Sequence, residues 1–361
     1  MTPSLDQWIG LVVHDFSPGG TERIAPRLAG AWSDAGRAVT IFCGDPTGPL
    51  VHLVPPGARL VSPARPIRRG PGSRRRLGAW VAGEARAWEI AGLFIPGNFH
   101  FPVLEAFGST APRPRLVAKV SNALDRPGAN PLLRRWSHAR MRRRLRHADQ
   151  VVAMSPALAE EARRLLGGDL PLVVVPEPIL EDEDFLPTGA RRSGIVAAGR
   201  FAPQKNFALA VETTAELPGD ERLTILGDGA ELASVAARIA ELGLADRVLL
   251  PGRVIDVRPQ FAQAKVFLLS SRYEGYPAVL IEAIAAGCRI VATDCSPAIS
   301  EIVDDPAVGE VVAGARPAAL AAALARQLLL PPPPPETIAR ITAPHRIGAV
   351  AHLYLELLTP A

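Results

Sequence analysis

Short apolar runs alternate along the chain with segments whose apolar positions recur every three or four residues. Ile9–Val13 reads as a strand and Glu22–Ala35 as a helix, and Val39–Cys43, Leu93–Ile95, Leu116–Val120, Val151–Ala153 and Leu172–Val175 read as further strands. After Pro176 the alternation restarts. Ile195–Ala198 is a predicted strand, Ala208–Glu216 a helix, Leu223–Leu226 a strand and Leu232–Glu241 a helix, and Val248–Leu250, Val266–Leu269 and Ile290–Ala292 continue it as strands. Strands that are apolar throughout, rather than at every second position, belong to parallel sheets covered by helices on both faces. The pattern therefore predicts an α/β chain with two Rossmann-like, doubly wound parallel-sheet domains. The linker is expected at Val175–Ile179 (VPEPI) with the acidic stretch Glu181–Asp184. Pro331–Pro335 reads as a stiff polyproline spacer, followed by a final helix over about His345–Leu358.

Composition fits this reading. A length of 361 residues suits two domains, and 48% hydrophobic residues suffice for two cores. The formal charge is +4, and only three of the 40 basic residues are lysines (Lys119, Lys205 and Lys265). Cys43, Cys288 and Cys295 are odd in number and lack metal-ligand spacing, which predicts free thiols in a reducing compartment. The opening MTPSLDQWIGLVV has no basic segment and carries Asp6, so no signal peptide is expected. Glu282 and Arg289 interrupt the longest apolar candidate, so no segment is expected to span a membrane.

The chemistry concentrates in EGYPAVLIE, where Glu274 and Glu282 stand eight positions apart. Pro277 suits a helix start, and the apolar run from Ala278 to Ala286 reads as the helix. Glu274 then lies in the loop before the helix and Glu282 within its second turn. Backbone N–H groups from Ala278 onward lack partners inside the helix, and the dipole there favours anions. A loop carboxylate, free amides and a helix carboxylate can grip a ligand with hydroxyls at both ends and phosphate between. A sugar nucleotide has that layout.

Three further segments accompany it in order: Pro18-Gly-Gly-Thr-Glu-Arg23, Gly199-Arg-Phe-Ala-Pro-Gln-Lys-Asn206 and Leu226-Gly-Asp-Gly229. Gly19 and Gly20 either form a tight strand-to-helix turn or let backbone approach a phosphate. Arg200 and Lys205 follow a buried strand at the end where open α/β sheets bind ligands. Gly227-Asp228-Gly229 is open between a turn with positive φ and a ligand contact.

Together the four segments resemble the retaining glycosyltransferases of family 4, whose fold is GT-B and whose signature is E-x7-E. The resemblance covers nearly the whole chain. It implies two domains facing a central cleft: 1–176 taking the acceptor, 177–340 binding a nucleoside-diphosphate sugar, and 341–361 a helix that crosses back to the first domain. It implies donor contacts from Gly19, Gly20, Gly199, Arg200, Lys205, Gly227, Asp228, Gly252, Arg253, Glu274, Gly275, Tyr276, Pro277, Ala278, Val279 and Glu282. Glu282 would hold the ribose and Glu274 the donor sugar. Arg200, Lys205 and Glu274 would carry catalysis, with retention of anomeric configuration. Arg200 binds phosphate oxygens bidentately and Lys205 adds a point charge, devices that replace a divalent metal. No metal and no cofactor are expected.

The N-terminal half departs from the family pattern. Many members have a histidine after a middle strand that contacts the sugar, whereas here Ser121 and Asn122 stand in that region, with His100 a second candidate. Asp15, after the first strand, is a possible acceptor contact. The alternatives are a GT-B epimerase or phosphorylase-like enzyme, and a non-catalytic sugar-nucleotide-binding protein.

Two arginine clusters remain. Arg134–Arg146 holds seven arginines with Leu132, Leu133, Trp136, Met141 and Leu145 around them, and no acidic residue lies between Asn130 and Ala148. Arg65–Arg76 adds six arginines in what reads as a Gly/Pro-rich loop. They read either as a solvated surface or as contact with an anionic membrane. No recognition motif accompanies them, so nucleic acid is not an expected partner. The expected protein is cytoplasmic, peripheral at the inner membrane face, and acts on a saccharide or polyprenyl-diphosphate-linked acceptor in cell-surface polysaccharide synthesis.

Overall fold

The computed structural model describes residues 8–108, 112–125, 130–181 and 192–359. The acidic residues Asp182–Asp184 of the expected linker lie outside them. The chain divides into two units, Met1–Ile179 with Arg346–Ala361, and Leu180–His345.

In the first unit the strands are β1 (Ile9–Val13), β2 (Val39–Cys43), β3 (Ala58–Val61), β4 (Gly92–Ile95), β5 (Arg115–Lys119), β6 (Gln150–Ala153) and β7 (Leu172–Val174). All pairs are parallel, in the order β3-β2-β1-β4-β5-β6-β7. The helices are α1 (Gly20–Asp34), α2 (Ser73–Ala87), α3 (Pro131–Leu145) and α4 (Pro156–Leu166), and a 3-10 segment spans Asn98–Ala106. A last helix of this unit, Ile347–Leu358, packs on α1: Trp32 meets the rings of Phe94 and Tyr354 and donates to the Ala351 carbonyl at 3.0 Å. On the opposite face Leu77, Val81, Phe101 and Leu104 pack with Leu93, Leu116 and Val151.

The second unit holds β8 (Ile195–Ala198), β9 (Leu223–Leu226), β10 (Val248–Gly252), β11 (Val266–Leu269), β12 (Arg289–Thr293) and β13 (Gly309–Val312), again all parallel, in the order β10-β9-β8-β11-β12-β13. Its helices are α5 (Phe207–Glu216), α6 (Leu232–Glu241), α7 (Arg258–Gln263), α8 (Ala278–Ala285), α9 (Ile299–Ile302), α10 (Pro317–Leu328) and α11 (Pro335–Thr342), so the helix Ile347–Leu358 is α12. The fold class is as expected, two doubly wound Rossmann-like parallel sheets.

In both sheets the first strand stands where the order reverses, β1 beside β4 and β8 beside β11. Loops at the carboxyl ends of such neighbours diverge and leave a crevice between them, where open α/β sheets bind ligands.

One sequence expectation needs correcting. Arg74, Arg75 and Arg76 are not in a loop but in the first turn of α2. Gly72, at φ 72°, provides the left-handed turn that a Gly/Pro run permits, and Ser73 Oγ accepts the Gly70 N–H at 3.3 Å. The turn residues thus launch a helix.

Candidate functional site

In the second unit the loops after β8, β9 and β10 are stitched by backbone. Gly199 N–H donates to Leu226 O, Gly227 N–H to Gly252 O and Phe201 N–H to Asp228 O, each at 2.9 Å. A Cβ on Gly227, at φ 140°, would lie 1.8 Å from the Gly199 carbonyl, and one on Gly229 would lie 2.4 Å from Phe201 O. Only glycine permits these approaches, so the L-G-D-G turn is a packing requirement of the loop that carries Arg200. Asp228 is exposed and accepts the Gly229 N–H at 2.7 Å; Arg253 and Arg200 are exposed too. Arg200 makes no ion pair among the described residues.

Lys205 turns back toward the neighbouring loop after β11. Its Nζ lies 2.7 Å from Glu274 Oε1. Ser271 Oγ donates to the same oxygen at 2.6 Å, and Gln204 Nε2 donates to Oε2 at 3.0 Å. The Glu274 backbone N–H donates to Cys295 O at 2.7 Å. Burying a carboxylate demands such partners, and Glu274 is 7% exposed. The Lys205 and Glu274 loops therefore meet across the β8/β11 switch point although the two residues stand 69 positions apart.

Gly275 follows, its carbonyl accepting Ser296 Oγ at 2.6 Å, and Tyr276 OH lies 2.9 Å from His345 Nε2. Pro277 occupies the cap position before α8 rather than its first turn. The row of free amides is shorter than expected. Ala278 N–H donates to Tyr276 O and Leu280 N–H to Pro277 O, both at 2.9 Å, which leaves Val279 N–H without a backbone partner among the described residues. A γ-turn bond and a 3-10-type bond consume the others. Glu282 is half-buried in the second turn.

The first unit has a counterpart at its own switch point. His14 and Asp15 follow β1, and His100 follows β4. Arg69 clamps Asp15 through Nε, and its Nη2 lies 3.0 Å from Asp15 Oδ1 and 2.7 Å from Glu22 Oε1. Burial pushes the Asp15 carboxyl up, but hydrogen bonds from Arg69 and Ser17 prevail and hold it at about 2. His14 and His100 are both fully buried, and none of their four ring nitrogens has a hydrogen-bond partner among the described residues. His14 Nδ1 is 3.5 Å from Asp15 Oδ2, too long for a good bond. Burial, reinforced by His14 and Arg69, lowers the His100 pKa to about 3.

Ser121 and Asn98 are paired: Asn98 Oδ1 accepts the Ser121 N–H at 2.8 Å. A Cβ on Gly97 would lie 2.4 Å from Ser121 Oγ and 3.0 Å from Thr21 Oγ1, which brings Ser121 to the start of α1. Asn122 is exposed. Gly19 caps α1 in extended backbone, and a Cβ there would meet Glu22 Oε2 at 2.3 Å, whereas Gly20 faces open space. His14, Arg69, Asn98, Gln204 and Ser271 were not singled out in the sequence. Only His14 had a local signal, its place beside Asp15 at the end of β1.

All three cysteines are free and buried, and burial pushes each thiol up to about 12. No helix among the described residues is long and apolar enough to cross a membrane.

Comparison with known proteins accords with this geometry. Residues 19–178 match the family model "Glycosyl transferase 4-like domain", and residues 192–329 match "Glycosyl transferases group 1". Each unit carries one of these domains, and the chain belongs to the two-domain glycosyltransferases. A Campylobacter jejuni protein, N-acetylgalactosamine-N,N'-diacetylbacillosaminyl-diphospho-undecaprenol 4-alpha-N-acetylgalactosaminyltransferase, is 36% identical over 118 residues, covering 33% of this chain and 32% of that protein. The chain spans less than half the length of the first curated relatives it matches, 32% and 45%. Sucrose-phosphate synthase from Thermosynechococcus elongatus shares the fold at a TM-score of 0.81 with 20% identity, covering 97% of this chain and 98% of that one. Anabaena HepE in complex with UDP and glucose aligns at a TM-score of 0.77 with 17% identity, covering 98% and 99%.

Proposed function

We propose that the protein is a retaining, metal-independent glycosyltransferase. It moves a sugar from a nucleoside-diphosphate sugar to a saccharide or polyprenyl-diphosphate-linked acceptor, in the assembly of a cell-surface polysaccharide or glycoconjugate. It would work in the cytoplasm, at the inner face of the membrane. The observation that carries the reading is the buried Glu274 carboxylate joined to Lys205 at the β8/β11 switch point, directly before α8.

As the sugar leaves, negative charge grows on the diphosphate and positive charge on the sugar ring. Arg200, exposed at the loop tip, binds the diphosphate, and Lys205 lies within reach of both that charge and Glu274. Fixed cations at the leaving group lower the barrier most where charge develops. Gln204 and Ser271 hold the Glu274 carboxylate, so that it can meet sugar hydroxyls without reorganising. Glu282 takes the ribose, and the acceptor attacks on the leaving-group face. The glycosidase logic of two carboxylates as acid and nucleophile does not apply. The relative named for a diphospho-undecaprenol substrate and the neighbour bound to UDP and glucose support these classes of acceptor and donor.

A thermal-shift screen against UDP-, GDP-, ADP- and dTDP-sugars, followed by a transfer assay with and without EDTA, tests the proposal. Stabilisation by one donor, with transfer that persists in EDTA and yields the retained anomer, is expected. Conversion of donor without acceptor would identify an epimerase instead, and binding without turnover a non-catalytic protein.

A further inference from the structure

The two arginine clusters, far apart in sequence, meet around one carboxylate. Glu105 lies 2.9 Å from Arg144 Nε, 3.7 Å from Arg143 Nη2 and 3.6 Å from Arg75 Nε, so α3 and the start of α2 form one basic face. Arg134 pairs with Asp125, and Arg142 and Arg146 share Asp169. Arg135 and Arg140 have no carboxylate among the described residues. Six of these eight arginines thus share three carboxylates, and two have none.

The same helix projects. Residues 131–137, nearly two turns of α3, are exposed on every side. Leu132 is 77% exposed, Leu133 67% and Trp136 60%. At helical spacing these three lie on one side of the axis. Arg140 stacks on Trp136, its guanidinium carbon 5.1 Å from the ring centroid. Single exposed leucines are ordinary, but three large apolar side chains within five residues, ringed by unneutralised arginines, are not.

We propose that this face docks on an anionic bilayer, with Leu132, Leu133 and Trp136 entering the boundary between headgroups and acyl chains while Arg135, Arg140 and Arg143 hold lipid phosphates. The charge excess selects an anionic surface. The apolar tip favours a bilayer over a soluble polyanion, which offers nothing for leucine to enter. Tryptophan and arginine both suit the interface, since each joins an apolar body to a polar end. The membrane-borne acceptor proposed above gives this face its setting, but the test needs neither donor nor acceptor. It can fail while donor binding stands, and the reverse.

The test is co-sedimentation of the full chain with phosphatidylglycerol/phosphatidylcholine vesicles and with phosphatidylcholine alone, at low and high salt. Wild type is expected to bind only the anionic vesicles, less at high salt. Arg135→Gln with Arg140→Gln should lower affinity about fivefold per charge, roughly 25-fold together. Leu132→Ser, Leu133→Ser and Trp136→Ser combined should remove the salt-resistant part without changing the unfolding temperature, because these side chains touch little. Brominated acyl chains should quench a fluorescence component that Trp136→Phe eliminates. The proposal is overturned if wild type ignores phosphatidylglycerol vesicles, or if both variants bind as wild type does. It is also overturned if sedimentation shows that the tip joins two copies of the chain, with wild type dimeric and the triple variant monomeric.

Discussion

The two switch points of this molecule have the same topology and opposite chemistry. After β8 and β11 the second unit buries a carboxylate, Glu274, and gives it three side-chain donors, Lys205, Ser271 and Gln204. After β1 and β4 the first unit buries two imidazoles, His14 and His100, and among the described residues gives their nitrogens no partner, while the charges beside them, Asp15 and Glu22, are tied to Arg69. A parallel sheet that reverses its strand order creates a crevice in either case, so topology does not decide what a crevice is for. The side chains do. The paired carboxylate is held rigid by its three donors. The imidazoles are held neutral, able to exchange a proton or hydrogen bond only with something that arrives.

The largest expected effect breaks the charged crevice. Lys205→Ala should lower kcat roughly 100- to 1000-fold, in line with losing a fixed donor at a developing charge, and raise the donor KM much less. Steady-state kinetics with the donor found in the screen measure this. If Lys205→Ala only raises KM, the lysine serves binding alone and the charge-stabilising role passes to Arg200.

The second effect concerns the loops that hold the charges. Gly227→Ala must adopt φ 140° and place a Cβ 1.8 Å from the Gly199 carbonyl. Backbone cannot yield as a flexible side chain can, so a loss of about 3 kcal/mol is expected. Gly20→Ala is the control in the other unit. Its Cβ would meet nothing within 4 Å, and unfolding should be nearly unchanged. Denaturant titration of both variants reads the contrast, and equal stabilities would show that the β8 and β9 loops relax freely.

Sequence pattern carried most of the strands and little of the site's interior. Ile9–Val13, Val39–Cys43, Ile195–Ala198, Leu223–Leu226 and Val266–Leu269 are legible to the residue because buried parallel strands are apolar on both faces. Two edge strands escaped. Ala58–Val61 is half exposed and carries Arg59, and Gly309–Val312 opens on glycine and glutamate. The Glu274, Lys205 and glycine positions are visible as local motifs. Gln204 and Ser271 are not, because nothing in a one-dimensional string says that a glutamine will reach a carboxylate 70 residues on. Arg69 is hidden in the same way. It sits in an arginine-rich run that reads as solvated surface, yet it spans 54 residues to Asp15.

Arg69→Met tests whether the first crevice depends on this clamp. The variant keeps the side-chain stem and leaves Asp15 and Glu22 facing each other with no cation between them. Unpairing fully buried carboxylates is costlier, but 39% of the Arg69 side chain is reached by solvent, so a loss of about 2 kcal/mol is expected. The loss should shrink below pH 3.8, where the Asp15 carboxyl, held at about 2 in the folded protein, loses its advantage over the unfolded chain. A loss that does not vary with pH would assign Arg69 a packing role over Phe99, whose ring centroid lies 4.6 Å from the guanidinium carbon.

The effect that is smallest at neutral pH, where it vanishes, separates the crevices by pH. His100 is fully buried with neither ring nitrogen partnered among the described residues, and its pKa is lowered to about 3 from the ordinary 6.5. Between those two values the unfolded chain binds a proton that the folded chain refuses. Stability therefore rises with pH across that window, is fully present above about 6.5, and is lost as the pH falls toward 3. One such group contributes up to about 1.4 kcal/mol per pH unit. His14, lowered chiefly by burial against the opposing pull of Asp15, adds in the same direction. His100→Phe keeps an aromatic ring of similar size and removes the group that must stay neutral. Its stability at pH 7.5 should match wild type, and its slope from pH 6 to pH 4 should be shallower by nearly one proton. Urea unfolding at pH 7.5, 6, 5 and 4 measures both. An unchanged slope would mean that His100 reaches solvent, and that the first crevice is as open to charge as the second.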